Sequence, residues 1–354
     1  MKPVNRLIDL LWNKDEKRLR AFLRLGIHTL MVLLATGFFT AVLMSLAALI
    51  SMPSGASFKE QLTAGGFIQW TERPVINLVI APLSAFFGIG LATYLAGLWI
   101  DRRPLRKFGI NFKKGWWADF LFGLGLGAVL MGIIFLIGWL TGSVRVSGFF
   151  EVNAQNNFFL GMIQSLIFFV LVGIYEELLS RGYHLINLAE GLNHPRLGAQ
   201  LALLLAYGLS SLVFGMMHLS NPNATWVSTV NVSLAGLFLG LGMILTGSMA
   251  IPIGLHVTWN FFQGSVFGFA VSGFRTGVSV IGTEIVANTW LVGGDFGPES
   301  GLLSLAALIL GSALTILWVR RNGQLKLYSD LAVYEPRVKK QRGKMLSNDF
   351  QNQP

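Results

Sequence analysis

The chain has 354 residues, of which 53% are hydrophobic and 12% charged, with a mean hydropathy of +0.60. That is too apolar for an ordinary globular domain and typical of a polytopic membrane protein. There are no cysteines, which excludes disulfides, zinc–thiolate sites and thiol nucleophiles. The net charge of +10 is carried by loops and tails beside apolar runs, which points to membrane orientation and lipid headgroups and away from nucleic acid.

In chain order, Met1 to Leu25 carries Lys2, Arg6, Lys14, Lys17, Arg18, Arg20 and Arg24. No small-residue cleavage site follows, and the next apolar run is too long for a signal-peptide core. Leu7, Leu10, Leu11, Phe22 and Leu23 predict an interfacial amphipathic helix interrupted at Lys14 to Lys17. Spans are expected over Ile27–Met52, Pro74–Ile100 and Ala118–Leu140, the last preceded by Trp116 and Trp117 at an aromatic belt. Lys59 and Arg73 are the sparse positive charges of the first external loop. Asp101-Arg-Arg-Pro-Leu-Arg-Lys-Phe108, with Lys113 and Lys114, is a strongly basic loop.

The fourth span starts near Asn157 and keeps its helical pattern through Tyr183, Leu185, Ile186 and Leu188 to about Gly191, a candidate C-cap. Ala199–Leu219, Trp226–Thr246, Ile251 to about Val271, and Gly301–Val319 make the fifth to eighth. The sixth is rich in small residues (Ser233, Gly236, Gly240, Gly242) suited to close packing, and a very short turn at Gly247-Ser248 follows it. Ser272 to Glu299 reads as a long loop. The pattern predicts an all-α polytopic membrane protein of about eight transmembrane helices, with no internal repeat and the active site inside the bundle. Residues 1–26 form a basic amphipathic cytoplasmic segment, 27–319 the membrane domain with a core at about 157–271, and 320–354 a basic cytoplasmic tail. With basic segments on one side, both termini are cytoplasmic in a multi-pass cell-membrane protein.

Ionisable residues within spans are expensive and usually face a cavity. Glu177 and Arg181 are i and i+4 and can pair on one helix face. Glu176 lies about 100° around the helix and has no built-in partner. Phe214-Gly-Met-Met-His218 and His256-Val-Thr-Trp-Asn260 each place two polar or aromatic groups one turn apart, while His28, His184 and His194 fall near interfaces or loops. Each set alone reads as helix–helix glue. Together, a carboxylate and two imidazoles in a dry site can activate a water molecule and stabilise an oxyanion.

Glu-Glu-x-x-x-Arg at 176–181, Phe-x-x-x-His at 214–218 and His-x-x-x-Asn at 256–260 resemble, in this order, the three motifs of the CPBP family, the CAAX-protease and bacteriocin-processing (Abi) intramembrane proteases. Asp101-Arg-Arg-Pro and Thr246-Gly-Ser-x-x-x-Pro252 support the likeness, which covers roughly residues 75–320. The resemblance implies an intramembrane endopeptidase acting on a peptide or protein substrate at the lipid bilayer. It implies Glu176 as general base on water, and Glu177 with Arg181 as the pair that orients the site. His218 would bind or polarise the water, and His256 with Asn260 would stabilise the oxyanion, with Phe214 in support. It leaves two schemes open, a zinc held by His218, His256 and Glu176 and a metal-free glutamate mechanism. A scaffold retaining the motifs, or a proton-coupled transporter, are the alternatives, though a transporter would usually show paired repeats. Straight helices set Glu176 and His218 at depths differing by about 9 Å at ~1.5 Å per residue, a gap that tilt or a kink must close.

Overall fold

In the computed structural model, residues 10–50, 79–112, 114–152, 157–323 and 325–335 are described. The expected first external loop, the start of the second span at 74–78, Lys113 and the end of the basic tail lie outside these residues. Trp12–Asn13 (β1) and Arg18–Leu19 (β2) pair as a small antiparallel hairpin, with Lys17 at positive φ in its turn. The hairpin falls on the interruption expected at Lys14 to Lys17. Leu10 and Leu11 are helical, Phe22 and Leu23 belong to the first long helix, and residues 1–9 of the expected interfacial helix lie outside the described residues.

The bundle that follows is built from α1 (Ala21–Ile50), α2 (Ala81–Trp99), α3 (Trp116–Leu140), α4 (Phe158–Leu192), α5 (Gly198–Met216), α6 (Trp226–Thr246), α7 (Ala250–Phe261) and α8 (Leu302–Asn322). All but α7 are long and apolar enough to cross a membrane. The chain is an all-α polytopic membrane protein. The seventh expected span is shorter than its apolar run, with a 12-residue helix prolonged by one π-type turn at Phe262–Val266. The segments expected as loops after α3 and α7 contribute Val144–Val152 (β3) and Val278–Ile285 (β4), which pair antiparallel.

Local sequence explains the helix ends. Asn157 caps α4 by accepting from the Leu160 N–H, and Thr225 with Ser228 forms a reciprocal cap on α6, each satisfying otherwise orphaned donors. Gly247 ends α6 in the left-handed conformation at φ 69°, which a residue without Cβ adopts freely. Gly191 does not end α4, whose C-cap is Asn193.

Missing side chains seat α7 at the centre. A Cβ on Gly123 would lie 2.5 Å from the Ile251 carbonyl, and one on Gly127 2.5 Å from that of Leu255. Thr258 Oγ1 donates to Leu124 O across the same contact at 2.7 Å. Such small-residue contact is how helices associate where lipid removes the hydrophobic drive. On α5, a Cβ at Gly215 would lie 2.6 Å from Thr229 O of α6.

At the end of the bundle shared by β1, β2 and the segment after α2, charges expected to meet headgroups are buried. Glu190 of α4 binds Arg103 and accepts from Arg18 at 2.7 Å, with Arg24 at 3.4 Å. Asp101 lies 3.7 Å from Arg24; burial raises its carboxyl above the usual range, while Arg103 and Arg24 oppose the shift. The Arg18 guanidinium rests 3.4 Å over the Tyr334 ring. His28 is buried too, stacked on Tyr183 at 3.5 Å.

Gly127→Leu meets backbone atoms that have no freedom to move, and overpacking typically costs ~1–3 kcal/mol. It should lower the thermal unfolding midpoint of the detergent-solubilised protein by several degrees. Gly125→Leu, with nothing within 4 Å of its Cβ, should leave the midpoint unchanged in the same assay.

Candidate active site

The two adjacent carboxylates of α4 have different surroundings. Glu177 has no exposed side-chain surface, whereas the Glu176 side chain is 20% exposed. Glu177 Oε1 accepts from Arg181 Nη1 at 2.9 Å and from His256 Nδ1 at 2.8 Å. Arg181 also donates to Gly236 O on α6 at 2.8 Å, and its guanidinium lies 4.5 Å from the Phe214 ring centroid. The helix passes into a π-type stretch at Leu178–Leu185 directly after the pair, an irregularity frequent at functional sites.

Glu176 faces a cavity of about 370 Å³ with Phe168, Phe169, Val172, Phe238 and Trp259 among its walls. Its Oε2 stands 4.0 Å from His218 Nε2 and 3.8 Å from His256 Nε2. These separations are too long for direct hydrogen bonds and suit one bridging water. His218 Nδ1 lies 2.8 Å from Phe214 O. A carbonyl only accepts, so Nδ1 carries the proton and Nε2 presents its lone pair to the cavity. Asn260 lines the same cavity, its amide without an intramolecular hydrogen bond among the described residues. Phe214 packs against both imidazoles, 4.9 Å from His218 and 6.2 Å from His256.

All six polar residues singled out in the sequence, with Phe214, therefore meet at one place. The depth gap expected of straight helices is closed. α5 stops at Met216, and His218 sits in the turn beyond it, where the Gly215 carbonyl accepts from its backbone N–H at 3.0 Å.

Sequence reasoning missed the far wall of the cavity: Asn221, Ser272, Arg275, Thr276 and Glu299. Asn221 lies in the turn between α5 and α6, and the other four fall in the stretch after α7 that reads as a long loop from sequence. Glu299 is buried, and its carboxylate accepts from Gln263 Nε2 at 2.7 Å, Ser272 N at 3.1 Å and Ser272 Oγ at 3.1 Å. Burial raises its carboxyl above the usual range, and these hydrogen bonds oppose the shift.

Glu176, His218 and His256 are the residues that a metal would have to use. Among the described residues, no group of three His, Asp or Glu side chains is arranged to hold a metal ion. As placed, the donor set does not fit a zinc centre.

Glu177→Gln removes the counter-charge of Arg181, whose side chain is 2% exposed. Breaking a buried pair in this way typically costs ~3–5 kcal/mol. Thermal unfolding should show Glu177→Gln strongly destabilised and Glu176→Gln close to wild type. Equal midpoints for the two variants would refute the division between a held and a free carboxylate.

No curated protein matches the chain, and neither does any solved structure. The family model described as "Type II CAAX prenyl endopeptidase Rce1-like" matches residues 158–262, the span from the start of α4 to the end of α7 that contains all three motifs. Residues 158–262 are thus similar to an Rce1-like type II CAAX prenyl endopeptidase domain, in keeping with the resemblance of the three motifs they contain to the CPBP/CAAX membrane proteases.

Proposed function

We propose that this chain is an intramembrane endopeptidase that cleaves a prenylated, membrane-associated peptide using a water activated by Glu176. The observation that carries the reading is the convergence of Glu176 Oε2 with the Nε2 atoms of His218 and His256, 4.0 and 3.8 Å away, in an apolar cavity. A water between them donates one hydrogen to Glu176, and His218 Nε2 accepts the other. Glu176 takes the proton as the oxygen attacks the scissile carbonyl carbon. The oxyanion that forms is met by the amide N–H of Asn260, beside the His256 ring, which Glu177 orients by accepting from Nδ1. Glu176 then returns the proton to the leaving amine, and the C–N bond breaks. Arg181 holds Glu177 in place through the Nη1–Oε1 hydrogen bond, and Phe214 packs against the two imidazoles.

No step requires a metal, in keeping with the donor arrangement. Loss of one oxyanion donor typically costs ~10²–10³-fold in kcat, so Asn260→Ala should lose that much, and Glu176→Gln should lose all activity. The purified protein should cleave a membrane-anchored reporter equally well with and without chelator. Stoichiometric zinc in the wild type that disappears in His218→Ala would overturn the metal-free scheme. Failure of the purified protein to cleave any such reporter would overturn the peptidase reading itself.

Described basic residues gather at the bundle end that holds the Glu190 cluster, including Lys14, Arg102, Arg106, Lys107, Arg320 and Lys326, while Arg145 and Arg275 lie at the other. This asymmetry supports a cytoplasmic placement of the first end and of both termini. A cysteine at Leu105 should react with an impermeant thiol reagent only from the cytoplasmic side, and one at Asn223 only from outside. Labelling of Asn223 from the cytoplasm would reverse the orientation.

A further inference from the structure

Three residues that carry or can carry a full charge line the cavity besides the two histidines: Glu176, Glu299 and Arg275. Glu176 is used in the proposed chemistry, and Glu299 is buried and occupied by Gln263 and Ser272. Arg275 has no such use. It is exposed, donates through Nη1 to Gly268 O at 3.1 Å, and makes no ion pair among the described residues. Among the described residues, most of its N–H donors therefore have no partner. Arg275 and Thr276 also border a second, more polar hollow of about 440 Å³ with Glu151 and Ser279, so the guanidinium stands where the apolar cavity opens into a wetter space. Glu151, the acid in that hollow, accepts from Ser147 Oγ at 2.8 Å.

The loop that presents Arg275 is tied down on both sides. Ser272 is held by Glu299 through its N–H and hydroxyl, and its carbonyl accepts from Asn221 Nδ2 at 3.1 Å. The Gly273 N–H donates to Phe296 O at 2.7 Å, and Thr276 Oγ1 donates to Val278 O at 3.0 Å. Glu299 is thus a positioning residue for a loop whose cation faces the site. A cation held in advance loses less freedom on binding, and a guanidinium is matched in shape to a carboxylate.

We infer that Arg275 is a specificity-determining residue that binds the free C-terminal carboxylate of the peptide entering the cavity. The inference rests on the peptidase reading above. The apolar walls select apolar side chains beyond the scissile bond, and such a peptide retains one anion, its own terminus. A lipid phosphate presents similar chemistry at the same edge of the bundle, so the test separates the two.

Full-length protein carrying Glu176→Gln is placed in phosphatidylcholine nanodiscs. The probe is a fluorescein-labelled peptide with a farnesylated cysteine followed by three apolar residues, ending either as the acid or as the carboxamide. Anisotropy titrations should show the acid bound about tenfold more tightly, equivalent to ~1.4 kcal/mol. Adding Arg275→Gln should bring the ratio to about one, and Arg275→Lys should retain part of it. Equal affinities in the parent, a ratio that survives Arg275→Gln, or no measurable binding of either peptide would overturn the inference. So would equal affinities for acid and amide that both fall when phosphatidylglycerol is added, with the fall absent in Arg275→Gln, because that pattern assigns Arg275 to a headgroup. Cleavage by the unmutated protein is read separately: its absence sinks the peptidase reading and leaves the binding ratio intact as the measure of Arg275.

Discussion

One carboxylate oxygen, Glu177 Oε1, accepts from Arg181 and His256 at once, and through them it holds four helices together. Arg181 reaches the Gly236 carbonyl on α6 and lies against Phe214 of α5, while His256 belongs to α7. An ion pair at this depth is retained only if its remaining donors are satisfied, since the desolvation of each charge is large. Arg181 meets that condition with a backbone carbonyl and an aromatic face. The consequence for chemistry is directional. With Glu177 committed, Glu176 is the carboxylate left to face the cavity, and His256 is turned so that its second nitrogen points the same way.

The same helix is gripped a second time by charge. Glu190 draws Arg18, Arg24 and Arg103 into a buried cluster that also engages Tyr334 through Arg18. α4 is thereby fastened at its far end to the hairpin that opens the described chain and to the segment that closes it. Between Glu177 and Glu190 the helix runs through the π-type stretch at Leu178–Leu185, an irregularity frequent at functional sites. α7, which brings His256 to the first of these clusters, is seated by close approach of its backbone to Gly123 and Gly127 of α3.

The cavity wall opposite Glu176 follows a different rule. Ser272, Arg275 and Thr276 lie on irregular backbone, which tolerates burial only if its polar groups find partners. Glu299, Gln263 and Asn221 supply those partners. Hydrogen bonding in this loop, and close packing in the helices, are two solutions to the same absence of water.

Apolar runs of spanning length, the Asn157 and Gly247 boundaries, and the adjacent acids with their i+4 arginine are local features, legible because each depends on neighbours within one or two helical turns. Trp226–Thr246 was readable to its end residues for that reason. The three motifs could be grouped from sequence as the main ionisable residues of spanning segments. What brings them within 4 Å is tertiary: the turn that carries His218 beyond α5, and the glycines that let α7 sit between α3 and α4. The burial of Arg18, Arg24, Asp101 and Arg103 was not legible, because a basic loop reads the same whether its partner is a headgroup or a glutamate 87 residues away. Arg275 and Glu299 were hidden for the same reason. Composition and periodicity established a helical membrane protein and nominated its reactive residues, since hydrophobic pattern and i+4 spacing are properties of short segments. Which charges are buried, which carboxylate is free and what closes the cavity were decided by the folded chain, because each depends on partners remote in sequence.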